Sequence, residues 1–241
     1  MTMDAYIITG ASKGIGLALS KVLAEGGHEV FGIARSVPEE WPGTKLFPFD
    51  LLDSSSIPDL VKEIVGKVSS SCNSVTLINN AGTVEPIGFA GNNDADDISK
   101  SIALNLTAPM ILSGAFIKRA AELPAEKRII NISSGAGRKA YEGWSAYCAG
   151  KAGLDHFSLC VDKEYGNIKV LSIAPGIIDT DMQGKIRKSS EADFPLIENF
   201  KEYKKQGLLS TPEDTAEKLV RLFERRDFEN LETILDIRDF D

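Results

Sequence analysis

The chain has 241 residues, 43% of them hydrophobic, and carries a net charge of −8 with a pI near 5.0. That size and apolar content suffice for one large core, so a single α/β domain over residues 1–241 is expected. The acidic balance supplies no footprint for nucleic acid and disfavours an anionic membrane or an acidic carrier protein as partner. No uninterrupted apolar run approaches the ~18 residues of a membrane span. The opening Met1-Thr2-Met3-Asp4-Ala5 lacks the charged start of a signal peptide, so a cytosolic location is expected. Cys72, Cys148 and Cys160 have no metal-ligand spacing and read as free thiols, and no metal site is expected.

The apolar run Ala5-Tyr6-Ile7-Ile8-Thr9 leads into Gly10-Ala11-Ser12-Lys13-Gly14-Ile15-Gly16, and helical periodicity follows from Leu17 to Glu25. Strand, glycine turn and helix in this order suit a pyrophosphate, because glycine lets the backbone come close and the helix start offers free N–H groups. The glycines are spaced by three residues and then one, unlike the usual dinucleotide fingerprint. Glu29–Ala34 reads as a second parallel strand. At its end, where an acidic residue would bind a ribose 2′-hydroxyl, stands Arg35, and Lys13 in the glycine turn faces the same ribose. Two cations there suit a 2′-phosphate, which favours NADPH over NADH.

Lys45–Asp50 reads as a third strand, whose Asp50 either reaches an adenine amino group or makes a turn. A helix is expected over 54–68. The strand Ser74–Ile78 runs into Asn79-Asn80-Ala81-Gly82, small residues that let a flat ring pass close to the backbone. A long helix from Asp94 through Phe116 carries Asn105 in its apolar part, and Pro109 is expected to kink it. A buried Asn105 either bonds structurally or holds an active-site water. The strand Ile129–Ile132 ends near Ser134, which is delivered to the same edge as Tyr147 and Lys151 on the next helix, from Ser145 to about Glu164. Spaced i and i+4, Tyr147 and Lys151 share a helix face, and the ammonium is expected to lower the phenol's pKa and so mobilise its proton. Trp144 either lines the pocket or packs on a flap. Ile168–Ala174 is a sixth strand before Pro175-Gly176, 179–209 reads as a mobile polar flap, Thr211-Pro212 opens a last helix, and Glu232–Ile237 is a possible last strand. Strands alternating with helices give a doubly wound, Rossmann-type parallel sheet with ligands at the carboxyl ends of the strands.

Taken together, Thr9–Gly16, Asn79–Gly82, Asn105, Ser134, Tyr147 with Lys151, and Pro175-Gly176 with Thr180 make the chain resemble the short-chain dehydrogenase/reductase family over essentially its whole length. The resemblance implies that Tyr147 donates a proton, Lys151 binds the nicotinamide ribose, Ser134 polarises a carbonyl and Asn105 holds a relay water. It also implies that Ile178 and Thr180 touch the nicotinamide carboxamide and that the enzyme is a homodimer or homotetramer packed through the Asp94 and Ser145 helices. The segments Gly143–Cys148 and Pro175–Gln183 look like the sepiapterin reductase branch and still more like benzil reductases forming (S)-benzoin. The expected activity is NADPH-dependent reduction of one carbonyl of a small aromatic or heteroaromatic vicinal diketone. Sepiapterin reduction, with Asp236 near the place of the family's pterin-anchoring carboxylate, and 3-oxoacyl carrier-protein reduction are the enzymatic alternatives. A non-catalytic NADP(H) sensor has no need of the serine, tyrosine and lysine together.

Overall fold

Short runs of β-branched and large apolar residues form the strands, and the amphipathic stretches between them form the helices. The computed structural model describes residues 3–38 and 40–240. Strands β1 (Ala5–Thr9), β2 (Glu29–Ala34), β3 (Lys45–Pro48), β4 (Ser74–Asn79), β5 (Glu126–Ile132), β6 (Ile168–Ala174) and β7 (Ile234–Asp236) build one sheet in the order β3-β2-β1-β4-β5-β6-β7. Every pairing is parallel. The chain winds outward from β1 to β3, then returns to lay β4 on the other side of β1. The carboxyl ends of β1 and β4 therefore flank the switch point where open sheets of this kind form a binding crevice.

Alternate side chains of each strand supply two cores. Ile7, Phe31, Leu77 and Ile129 face helices α2 (Ile57–Val65) and α4 (Ala108–Ala120). Ile8, Val30, Ile78 and Ile130 face α1 (Gly14–Glu25) and α8 (Pro212–Phe223). With both faces covered, the strands are apolar almost throughout, as a parallel sheet requires. The start of α8 is fixed by the Thr211 hydroxyl, which accepts the Asp214 N–H at 3.0 Å ahead of a first-turn proline.

Several elements differ from their sequence reading. α2 is confined to Ile57–Val65, and residues 54–56 lie in turns before it. The long helix is interrupted upstream of Pro109: α3 (Ala95–Ile102) passes through a π-helical turn, Ala103–Thr107, into α4. Pro109 has no N–H to bond the Asn105 carbonyl, and the wider turn accommodates that loss. The helical stretch Ala95–Ala120 reaches the length and mean hydropathy, 1.3, of a membrane span, which the run-length reading missed. Its second half packs on α2, β4 and β5 and fully buries Leu112 and Phe116.

The expected flap holds two helices, α6 (Asp181–Ile186) and α7 (Ile197–Lys205). Ile186, Phe194, Ile197 and Phe200 gather against Trp144 at the start of α5 (Ser145–Glu164), forming a third apolar cluster. Those apolar residues are split between two short helices and a turn, so no single period announced them.

Candidate functional site

The glycine turn after β1 is shaped by Gly10 and Gly14, whose φ angles of 67° and 55° lie in the left-handed region. Gly10 and Ala11 donate their N–H groups to the Ile33 carbonyl, at 2.8 and 3.3 Å, and so tie the turn to β2. A Cβ on Gly16 would come within 2.4 Å of the Gly10 carbonyl oxygen. Gly16 is buried behind the turn and does not line the cleft, and its missing Cβ lets the turn close on α1. Asn80 borders the cleft and also ties two strands together. Its amide donates to the Thr9 carbonyl at 2.8 Å and its backbone N–H to the Thr9 hydroxyl at 2.9 Å, so its side chain fastens β4 to β1. Ala81 and Gly82 form the wall beyond it, and a Cβ on Gly82 would lie 2.8 Å from Asn105 Oδ1.

A cleft of about 1500 Å³ runs from Arg35 past Ser12 and Ile15 to Ser134, Tyr147 and Lys151. Asp50 borders it, and its carboxylate accepts the Leu52 N–H at 3.1 Å, the turn-forming alternative. At the far end Pro175, Gly176 and Ile178 follow β6, with Thr180 beside the glycine turn, 3.4 Å from where a Gly14 Cβ would stand. Arg35 is exposed, whereas Lys13 donates to Asp181 Oδ2 at 2.8 Å.

The i, i+4 spacing on α5 brings Tyr147 and Lys151 into the cleft together, 7% and 4% exposed. Lys151 Nζ donates to the Ile132 carbonyl at 2.7 Å and lies 5.9 Å from the Tyr147 ring centre. Ser134 caps a short 3-10 turn just after β5, its hydroxyl accepting the Ala136 N–H at 3.1 Å. The electrostatics reverse one expectation. Burial pushes the Tyr147 phenol above its ordinary pKa, and hydrogen bonding to Ser134 only partly opposes that, so the net shift is upward. Burial also drives Lys151 down to about 8, against the pull of Asp155. Both charged forms lose water in the cleft, and that loss is the largest cause of each shift. Tyr147 thus stays protonated through neutral pH and is chemically a donor.

Asn105 is fully buried in the π turn. Its amide donates to the Thr83 carbonyl at 2.8 Å while its Oδ1 accepts the Thr83 N–H at 3.0 Å. The side chain therefore takes the structural alternative, clamping the loop after β4, while Pro109, four residues on, brings no N–H to the Asn105 backbone carbonyl.

A strand–turn–helix cradle joined to a Ser, Tyr and Lys cluster at one sheet edge is matched by the short chain dehydrogenase family model over residues 4–191. The chain belongs to that family. It is 39% identical over 229 residues to benzil reductase ((S)-benzoin forming) of Bacillus subtilis (strain 168), covering 92% of this chain and 94% of that protein. To sepiapterin reductase of Bos taurus it is 30% identical over 243 residues, covering 93% of this chain and 91% of that one. The crystal structure of the KRED1-Pglu enzyme superposes with a TM-score of 0.84 at 30% identity, over 96% of this chain and 99% of that chain. As a short-chain dehydrogenase the protein is an oxidoreductase acting on carbonyl or CH–OH groups.

In this dehydrogenase Trp144 and Asp236, both singled out in the sequence, border the cleft, while Arg138 and Asp155, which sequence reasoning passed over, stand outside its lining. Trp144 is 5% exposed, stacked on Phe194 with centroids 4.5 Å apart and set edge-on to Tyr147 at 5.7 Å. It is chiefly the anchor of 179–209, although it also borders the cleft. Asp236 is held by Arg238, whose Nε and Nη2 donate to it at 2.8 and 2.6 Å. Asp155 accepts from Arg138 Nε at 3.2 Å and from the Ser172 hydroxyl at 2.6 Å, and Arg138 also donates to the Leu235 carbonyl at 2.9 Å. Asp155 stands four residues after Lys151, so the i, i+4 rule that paired Tyr147 with Lys151 would have found it.

Proposed function

We propose that the protein is an NADPH-dependent carbonyl reductase that converts one carbonyl of a small aromatic vicinal diketone to an alcohol, as benzil to (S)-benzoin. The observation that carries this reading is the buried trio of Ser134, Tyr147 and Lys151 in one cleft continuous with the glycine cradle. The cradle suits a dinucleotide: Gly10 and Gly14 hold the left-handed backbone that shapes the turn, the start of α1 opens onto the same cleft, and Gly82 forms its wall near Lys151. Lys13 and Arg35 at the adenosine end support a 2′-phosphate. Asp50, Ile178 and Thr180 border the path between.

The bound nicotinamide supplies the hydride that reduces the carbonyl carbon. Tyr147 gives its proton to the carbonyl oxygen, and Ser134 donates a second hydrogen bond to that oxygen, so negative charge does not build up alone. The Lys151 ammonium stabilises the phenolate left behind and holds the cofactor ribose. Asn105 keeps the Thr83 loop in place, and its backbone carbonyl, which Pro109 cannot bond, would hold a relay water. The diketone rests on the likeness to benzil reductase. Pterin reduction is disfavoured because the Asp236 carboxylate is already engaged by Arg238. Turnover of benzil, sepiapterin and an acetoacetyl thioester with NADPH tests the reading. Benzil is expected to give the highest kcat/KM, and preference for either of the others would replace it.

A further inference from the structure

We propose that Asp181 sets the cofactor preference by competing with the cofactor's 2′-phosphate for Lys13. This rests on the NADPH reading above and goes beyond it. Lys13 is the one cation in the glycine turn, yet its Nζ donates to Asp181 Oδ2 at 2.8 Å. Asp181 opens α6, and the residue before it, Thr180, lies against Gly14, so the turn and the start of α6 face each other across the cleft mouth. Both partners are more than two-thirds exposed and free to exchange partners, and Lys13 is the first cause that holds the Asp181 carboxyl below its usual range, ahead of Lys185 and Lys188. A phosphate dianion offers Lys13 a stronger acceptor than one carboxylate. Binding of a phosphorylated ribose therefore breaks the Lys13–Asp181 pair, and the carboxylate left nearby opposes the phosphate. A ribose bearing only hydroxyls leaves the pair intact. Lys185 of α6 also pairs with Glu85 in the loop after β4, an ion pair separate from Lys13–Asp181.

The test measures dissociation constants by calorimetry for NADPH, NADH, 2′,5′-ADP and 5′-AMP with the wild type, Asp181→Asn, Lys185→Gln, Lys13→Ala and the Lys13→Ala/Asp181→Asn double variant. Exposed ion pairs are weak, so Asp181→Asn is expected to tighten NADPH and 2′,5′-ADP about two- to fivefold while NADH and 5′-AMP stay unchanged. The gain should vanish in the Lys13→Ala background and be absent from Lys185→Gln. Equal tightening of all four ligands, no tightening, a gain that persists without Lys13, or the same gain from Lys185→Gln each overturns the proposal. If wild-type protein binds 5′-AMP as tightly as 2′,5′-ADP, the NADPH reading itself fails and takes this inference with it. A preference for 2′,5′-ADP with no Asp181→Asn effect rejects the competition alone.

Discussion

Lys151 is the first of the paired groups to titrate as pH rises. Its buried ammonium has a pKa near 8, while burial holds the Tyr147 phenol above its ordinary value, so Tyr147 is still protonated when Lys151 loses its charge. The ammonium form is present below that pH and disappears above it. Since kcat/KM reports the free enzyme, carbonyl reduction should fall as pH rises through about 8. An alkaline limb at the ordinary lysine or tyrosine value would show that desolvation does not govern the pair. The side chains of this cluster were legible in the sequence because helix spacing and the carboxyl end of a strand determine where they point. Their protonation was not, since the loss of water around Tyr147 and Lys151 depends on the walls that close over them.

At the scale of elements, the seven strands could be read from short apolar runs, whereas 179–209 could not. Its order comes from contacts between residues distant in sequence, above all Phe194 and Phe200 on Trp144. Asn105 shows the same limit: a buried polar residue in a helix was visible, but not that a π turn would aim its amide at Thr83. Because Trp144 holds α7 and the preceding turn to the start of α5, Trp144→Ala should cost about 3–5 kcal/mol, the usual loss for a buried aromatic. Folded mutant protein should show a raised KM for benzil and for a small aliphatic diketone alike. A loss confined to benzil, with unchanged thermal stability, would instead make Trp144 a substrate wall.

For the molecule as a whole, the doubly wound sheet collects the glycine cradle, the cation pair and the Ser–Tyr–Lys cluster from β1, β2, β5 and α5 at one edge, along one cleft that on the proposed reading would take both partners of a redox reaction. The cradle end governs which cofactor enters. Arg35 is exposed and its bond to a 2′-phosphate should fall at the low end for charged hydrogen bonds, about 1.5 kcal/mol, so Arg35→Asp is expected to shift the NADPH-to-NADH preference about tenfold toward NADH. An unchanged ratio of dissociation constants would place the phosphate elsewhere. The chemical end governs what is done with it, and Tyr147 is the group on which that rests. The most direct measurement incubates wild type and Tyr147→Phe with benzil and NADPH, follows benzoin by chiral chromatography and records NADPH binding for both. Wild type should form (S)-benzoin, and Tyr147→Phe should form none while binding NADPH within about twofold of wild type, because only the mobile proton is removed. Benzoin from both proteins at similar rates, or from neither, would contradict the account.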